Sequence, residues 1–313
     1  MSGFSRTDSP SYVVSAFRRT NGPLRVVSAF RRTNSGLFAC YGSVVGPDNR
    51  PRPAATVLVL RDGSSGPEIF MVRRHEGSGA FRGAHVFPGG RVDEHDASTA
   101  DDDWCDGIDY ATRQFADLPA SEALAYHVAA ARELFEEAGV LLARDQAGDF
   151  VSLDDHQRFT RLRLDVHSHR ETLRSIVARE GLRLALDALI RYAHWVTPPV
   201  EGRRFDTRFF VARVPPRQTP AHDDTETTES IWTTATAAIA SAERREIVLP
   251  PPTWTTLKEL QRFRSVDDVL EWAATRNILR SEPVSVQENG SRLLVMPDGS
   301  RFIWNVDRWN PEL

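Results

Sequence analysis

Arg132-Glu133-Leu134-Phe135-Glu136-Glu137-Ala138-Gly139-Val140 carries more information than any other stretch of this 313-residue chain. The residues before it, Leu124, Val128, Ala131, Phe135 and Ala138 with Leu142 beyond, recur at 4-3-4-3-4 spacing and predict one helix from Pro119 to Ala138. Gly139 is the residue expected just past its C-terminal end. At about 100° per residue, Glu133, Glu136 and Glu137 share one face, opposite the apolar stripe. Three carboxylates at i, i+3 and i+4 repel one another, and the last turn of a helix disfavours anions by roughly 0.3–1 kcal/mol each. Two readings stand side by side at this point. The face is simply solvated, as charged helix faces usually are, or hard divalent cations with oxygen ligands compensate the charge.

Upstream, Ala55–Leu60 and Glu68–Arg73 flank a Gly/Ser turn and predict a β-hairpin. Gly77–Gly90 is glycine-rich and ends in Phe87-Pro88-Gly89-Gly90; Asp93–Asp109 then carries eight acids with no Lys or Arg and reads as a solvated loop. Downstream, residues 153–190 read as mostly helical, followed by strands at Tyr192–Val196 and Thr207–Val214. Pro250-Pro251-Pro252 marks a boundary, followed by helices at Thr253–Phe263 and Val266–Thr275 and a β-meander with turns at Asn289-Gly290 and Asp298-Gly299. Within residues 1–50, VVSAFRRTN occurs twice, at Val13–Asn21 and Val26–Asn34, and the segment reads as a disordered extension. That divides the chain into an extension at 1–50, a domain at 51–249 and an addition at 250–313.

Composition narrows the function. The net charge of −4 argues against a general nucleic-acid binder. No apolar run reaches the roughly 18 residues of a membrane span. Two cysteines cannot build a disulfide framework, and no signal-peptide pattern opens the sequence, so a cytoplasmic location is expected.

The Arg132–Val140 stretch resembles the second half of the signature box of the Nudix hydrolases, Gly-x5-Glu-x7-Arg-Glu-U-x-Glu-Glu-x-Gly-U with U a bulky aliphatic residue. Arg132, Glu133, Leu134, Glu136, Glu137, Gly139 and Val140 all match. Counting from Gly90, Asp96 stands where the box has Glu, and an insertion at about 97–120 interrupts the box. Gly83-Ala84-His85-Val86-Phe87-Pro88-Gly89-Gly90, an acidic insertion containing Trp104, Trp195-Val196-Thr197-Pro198 and Arg204–Phe210 are similar to the peroxisomal-type coenzyme A diphosphatases. The bacterial coenzyme A motif matches at Arg74 and Gly83, but its middle arginine falls on Gly79.

The resemblance implies an α+β fold, the Nudix α/β/α sandwich with a mixed sheet, helical insertions and a C-terminal addition. It implies Glu136, Glu137 and the Gly90 carbonyl as ligands of Mg²⁺ or Mn²⁺, with Glu133 a ligand or the general base and Arg132 paired to a neighbouring carboxylate. A further acid from a later loop is expected, Glu226 or Glu229. Arg74, Gly83, Phe87 and Arg204 are substrate-binding candidates, with Arg203 beside them; Phe87 and Trp195 also read as core or pocket wall. His167 and His169 read as solvated, since no third ligand stands at metal spacing. The implied activity is hydrolysis of a nucleoside diphosphate-type small molecule. Coenzyme A or acyl-CoA leads, ADP-ribose or NADH is the alternative, and a non-catalytic nucleotide-binding module is third. Neither nucleic acid nor membrane is an expected partner.

Overall fold

The computed structural model describes residues 30–33, 36–39, 49–77, 81–97, 103–305 and 308–311. Gly79, where the coenzyme A motif departs, and the first VVSAFRRTN copy lie outside them. The chain forms two compact units.

The smaller unit gathers a hairpin of strands β1 (Phe30–Thr33) and β2 (Gly36–Ala39), the turn at 198–202 and the strands beyond residue 283. The hairpin falls within the expected extension at 1–50, most of which lies outside the described residues. Thr33 pairs with Gly36 at the hairpin's closed end.

The larger unit, residues 51–197 and 203–282, holds the box. Strands β3 (Arg52–Gly63) and β4 (Gly66–Arg74) form the expected hairpin. Two short strands follow, β5 (His85–Val86) pairing with β4 and β6 (Gly89–Arg91) pairing with β3. Next come α1 (Glu94–Ala97), β7 (Cys105–Asp106), α2 (Ile108–Arg113) and the long helix α3 (Ala120–Ala138). Beyond the box run β8 (Ala143–Arg144), α4 (His156–His167), α5 (Leu173–Arg179) and β9 (Arg183–Ala185). Strands β10 (Ile190–Val196), β11 (Phe205–Arg213) and β12 (Thr227–Thr234) lead to helices α6 (Ala235–Glu243), α7 (Pro251–Leu260) and α8 (Val266–Thr275) and to β13 (Arg280–Ser281). The meander of the smaller unit is β14 (Val284–Glu288), β15 (Ser291–Val295), β16 (Arg301–Asn305) and β17 (Arg308–Pro311), all antiparallel.

The main sheet runs β12-β4-β3-β11-β10-β13, with β3 parallel to β11 and antiparallel to β4, so it is mixed. Strand β3 shows how it is covered on both faces. Ala55, Val57 and Val59 join the cluster that includes Ala131, Leu134, Phe135 and Ala138 of α3, whereas the alternate positions Leu58 and Leu60 are buried on the other face. Helix α8 packs against β3, β10 and β11, and α6 against β4 and β12. The result is the expected α/β/α sandwich.

One expectation is refined and two are corrected. Residues 153–190 are mostly helical as expected, but the last α-helix there ends at Arg179. Gly181, at φ 66°, turns the chain, and Leu184 joins a small sheet of order β7-β9-β8. Pro250 is not a domain boundary: it caps α7, and Pro251 and Pro252 occupy the first helical positions, where a missing N–H costs nothing. The acidic stretch Asp93–Asp109 is not a solvated loop throughout. Trp104 and Cys105 are buried, Asp106 pairs with Arg183 at 2.6 Å, and Asp96 is 2% exposed. Among the described residues no helix is long and apolar enough to cross a membrane.

Candidate active site

Helix α3 starts after Pro119 and ends where Gly139 takes up φ 67°, a left-handed conformation that suits glycine. Val140 N–H reaches back to the Leu134 carbonyl at 3.4 Å and Gly139 N–H to Phe135 at 3.0 Å, which closes the final turn. The carboxylate face of this helix does not face water. Glu136 is 6% and Glu137 2% exposed, and the Glu133 side chain 12%. Nor is the apolar stripe the only buried face, since Ala123, His127, Ala130 and Leu134 are buried as well and Leu124 is only half-buried. The solvated-face reading is thereby excluded.

Arg132 organises the cluster. Its Nε and Nη2 donate to the two carboxylate oxygens of Asp96 at 3.0 and 2.9 Å, and Nη1 donates to Glu133 at 2.9 Å and Glu136 at 3.1 Å. Nη2 also donates to the Arg91 carbonyl at 2.8 Å, which ties the helix to the end of β6. Burial alone would lower the guanidinium pKa. The Asp96 hydrogen bonds and the charges of Glu133, Asp96 and Glu136 outweigh it, so the group is held firmly protonated. Glu137 accepts from the Gly89 N–H at 2.8 Å. Gly90, opposite Ala55 on β3, leaves no room for a side chain, because a Cβ there would collide with the Glu133 carboxylate.

Four acids around one arginine leave the cluster anionic, and burial makes that costly. Desolvation pushes Glu133, Glu136 and Glu137 all above the ordinary carboxylate value. The Glu133 charge adds to the rise at Glu137, and Glu226 raises both Glu133 and Glu137. The donors are all hard oxygens, and the excess negative charge is what a divalent ion would neutralise, so the chemistry of the set fits a hard divalent cation. Among the described residues no three acidic, His or Cys side chains already converge as a metal-binding group. Arg132 and the Gly89 amide hold the carboxylates instead.

The register of β12 decides between the two later acids. Glu229 lies directly opposite Arg73 on β4, after an irregularity in the pairing between Thr227 and Glu229. Paired residues share a face, and Arg73 alternates with Val72, which belongs to the α3-facing cluster. Glu229 therefore lies on the far side of the sheet, 53% exposed at the side chain and 3.9 Å from Arg73. Glu226, itself exposed, is the one of the two whose charge acts on Glu133 and Glu137. The Glu226 loop is held by Asp223, whose carboxylate accepts from the Thr225 and Thr227 hydroxyls and from the Glu226 and Thr227 amides at 3.1 and 2.8 Å. Although burial alone would raise it, these bonds bring Asp223 down to about 2.

The substrate-binding candidates separate. Arg74 is half-buried on the α3 side, its charge lowers Glu137, and its Nε is buried without a partner among the described residues. Gly83 turns the chain at φ 63° beside Glu76. Phe87, at 3% exposure, packs edge-on against Phe209 and is core, not a platform. Trp195, at 8% exposure, is buried too. Arg204 donates to the Thr197 carbonyl at 2.9 Å and to Glu282 at 2.6 Å, bracing β11 against its neighbours away from the carboxylates. Arg203 is exposed.

The sequence reading missed two contributors on α4. His167, expected to be solvated, stands 3.9 Å from the Glu136 carboxylate and 3.2 Å from the Thr225 hydroxyl. Arg163 donates to the backbone carbonyls of Glu136, Ala221 and His222. Nothing local distinguishes Arg163 from its neighbours Arg158 and Arg161 in so arginine-rich a helix.

With this geometry in view, comparison with known proteins decides the family. The NUDT19 Nudix domain profile matches residues 108–262, which include the whole carboxylate half of the box and α4. Over those residues the chain carries a Nudix domain. The human acyl-coenzyme A diphosphatase NUDT19 is 29% identical over 74% of this chain and 67% of its own length. The Gallus gallus protein of the same name is 28% identical over 67% of this chain and 65% of its own. The chain thus spans about two thirds of these relatives. The crystal structure of a Nudix hydrolase from Alicyclobacillus acidocaldarius, 26% identical, superposes with a TM-score of 0.56 over 71% of this chain and 96% of that one.

Proposed function

We propose that this Nudix hydrolase is a Mg²⁺- or Mn²⁺-dependent diphosphatase that cleaves the pyrophosphate of coenzyme A or acyl-CoA to 3′,5′-ADP and (acyl-)phosphopantetheine. The observation that carries the reading is a buried, anion-rich cluster of box glutamates in a chain similar over most of its length to acyl-coenzyme A diphosphatases.

A divalent ion, when bound, neutralises the non-bridging phosphoryl oxygens and makes the attacking water more acidic. The protein's own contribution is positional. Glu136 and Glu137 are the ligands offered by the helix, joined by the Gly90 carbonyl at the end of the glycine turn and by Glu226 from the later loop. Glu133 accepts the proton of the attacking water, since burial keeps its basicity above that of an ordinary carboxylate. Arg132, anchored by Asp96 and the Arg91 carbonyl, limits where Glu133 and Glu136 can turn. Arg74, with an unpartnered Nε beside Glu137, is suited to a substrate phosphate. Water adds to one phosphorus, the bridging P–O bond breaks, and 3′,5′-ADP and (acyl-)phosphopantetheine leave, each ending in a phosphate monoester.

The test is incubation of the purified chain with coenzyme A and Mn²⁺ or Mg²⁺, following 3′,5′-ADP by chromatography. Rapid turnover of ADP-ribose or NADH without release of 3′,5′-ADP would overturn the substrate assignment. No turnover of any of them, with nucleotide still bound, would favour the binding-module reading.

A further inference from the structure

The box glutamates lie on α3 and Glu226 on a loop more than eighty residues later in the chain, so something must hold the two together. Three carbonyls converge on the Arg163 guanidinium. Nε–H donates to the Glu136 backbone oxygen at 2.7 Å, Nη2 to Ala221 at 2.9 Å and Nη1 to His222 at 3.2 Å. The Glu136 carbonyl is one of the last four of α3, which have no partner within the helix. The loop returns the contact, for Ala221 N–H donates to the Ala138 carbonyl at 3.0 Å. Gly139 lets the guanidinium lie across the helix end, since an added Cβ would stand 3.2 Å from Nη1. One turn further along α4, on the same face, His167 meets the Thr225 hydroxyl at 3.2 Å.

We propose that Arg163, outside the box, is a positioning residue that docks the 221–227 loop onto the end of α3 and so sets Glu226 against the box glutamates. From Asp223 to Thr227 the loop is stiffened by the five bonds to the Asp223 carboxylate, so a hold at Ala221 and His222 is transmitted to Glu226. On the other side, His75 N–H donates to the Glu226 carbonyl at 2.9 Å, so that residue is gripped from both directions. Three of the five Arg163 N–H donors, one on each nitrogen, are committed to these carbonyls. Lysine could not replace it, since a single ammonium cannot span the three acceptors with the same planar fork.

This rests on the diphosphatase reading, and the experiment separates the two. Arg163→Ala, Arg163→Lys, Glu226→Gln and the double variant Arg163→Ala/Glu226→Gln are compared in the full chain. Amide hydrogen exchange across 221–227 is measured without metal or substrate, and kcat and KM are measured with coenzyme A and Mn²⁺. Arg163→Ala is expected to lose protection across 221–227 and to lower kcat about tenfold with KM little changed, Arg163→Lys falling between it and the native chain. The double variant should be about as slow as Glu226→Gln alone, because Arg163 acts through that acid. Losses that multiply, or 221–227 protected as in the native chain in both Arg163 variants, would overturn the proposal. Should coenzyme A not be a substrate, the exchange measurement decides it alone. Should Arg163→Ala fail to fold, Arg163→Lys serves in both single and double form.

Discussion

Replacing Asp96 by Asn removes one charge from the interior and leaves its volume nearly unchanged. Asp96 is 2% exposed and grips Arg132 with two oxygens at 3.0 and 2.9 Å while accepting from the Asp93 amide at 2.8 Å. A hydrogen bond to a charged group contributes about 1.5–3 kcal/mol, and breaking a buried ion pair costs about 3–5 kcal/mol. Arg132 keeps Glu133, Glu136 and the Arg91 carbonyl, and Asn still offers one acceptor, so the lower end applies, about 3 kcal/mol. For a domain of 150–250 residues that corresponds to a fall in Tm of roughly 6–12 °C. Urea denaturation of the metal-free chain gives the free energy and calorimetry the Tm. Activity should fall with stability, because a guanidinium released on the Asp96 side is drawn further onto Glu133 and Glu136, the groups a dication must claim. Asp96→Glu, which restores the residue of the family pattern, should cost less than Asp96→Asn. A loss below about 1 kcal/mol with undiminished turnover would show that Asp96 does not anchor Arg132.

Glu137→Gln should abolish turnover by orders of magnitude yet leave the metal-free chain as stable or more so, since it removes a buried carboxylate and keeps an acceptor for Gly89; activity and thermal denaturation read the two effects separately. Glu226→Gln should lower kcat at least about tenfold while Glu229→Gln stays within about twofold of native, because the charge of Glu226 acts on Glu133 and Glu137 whereas Glu229 lies opposite Arg73 on the far face. His127, fully buried between the Ala123 carbonyl at 2.8 Å and the Gln114 amide at 3.1 Å, is brought down to about 4 chiefly by burial. Its folded-state pKa is depressed, so its stabilisation is complete above about 6.5 and is lost as pH falls towards 4, by about 3 kcal/mol in all; a His127→Gln variant should show a correspondingly shallower acid loss in denaturant titrations. The box glutamates act in the opposite sense. Their folded-state pKa values are raised, so metal-free stability should decline as pH rises above the ordinary carboxylate range, and the Tm gained on adding Mn²⁺ should grow with pH.

Local chemistry wrote the carboxylate helix into the sequence. Its stripe, its terminating Gly139 and the Arg132–Val140 pattern lie within one continuous segment, and helical periodicity alone puts three acids on one face. The β3–β4 hairpin and the terminal meander were legible for the same reason, since their turns and alternation are local signals. Asp96 was not legible as an anchor, because an acid among eight acids looks solvated until α3 is folded against it. Glu226 and Glu229 are equivalent in sequence. A single irregularity in strand pairing turns Glu229 to the far face, and with a side-chain period of two, register is a property of the sheet. Arg163 and His167 enter only because α4 packs across the end of α3, a contact between segments with no shared local pattern. The sequence by itself determined which acids the helix presents. Tertiary structure alone decided that they are buried, which arginines restrain them and which later acid joins them, because burial and long-range pairing are set by what packs against a residue and not by its neighbours in the chain.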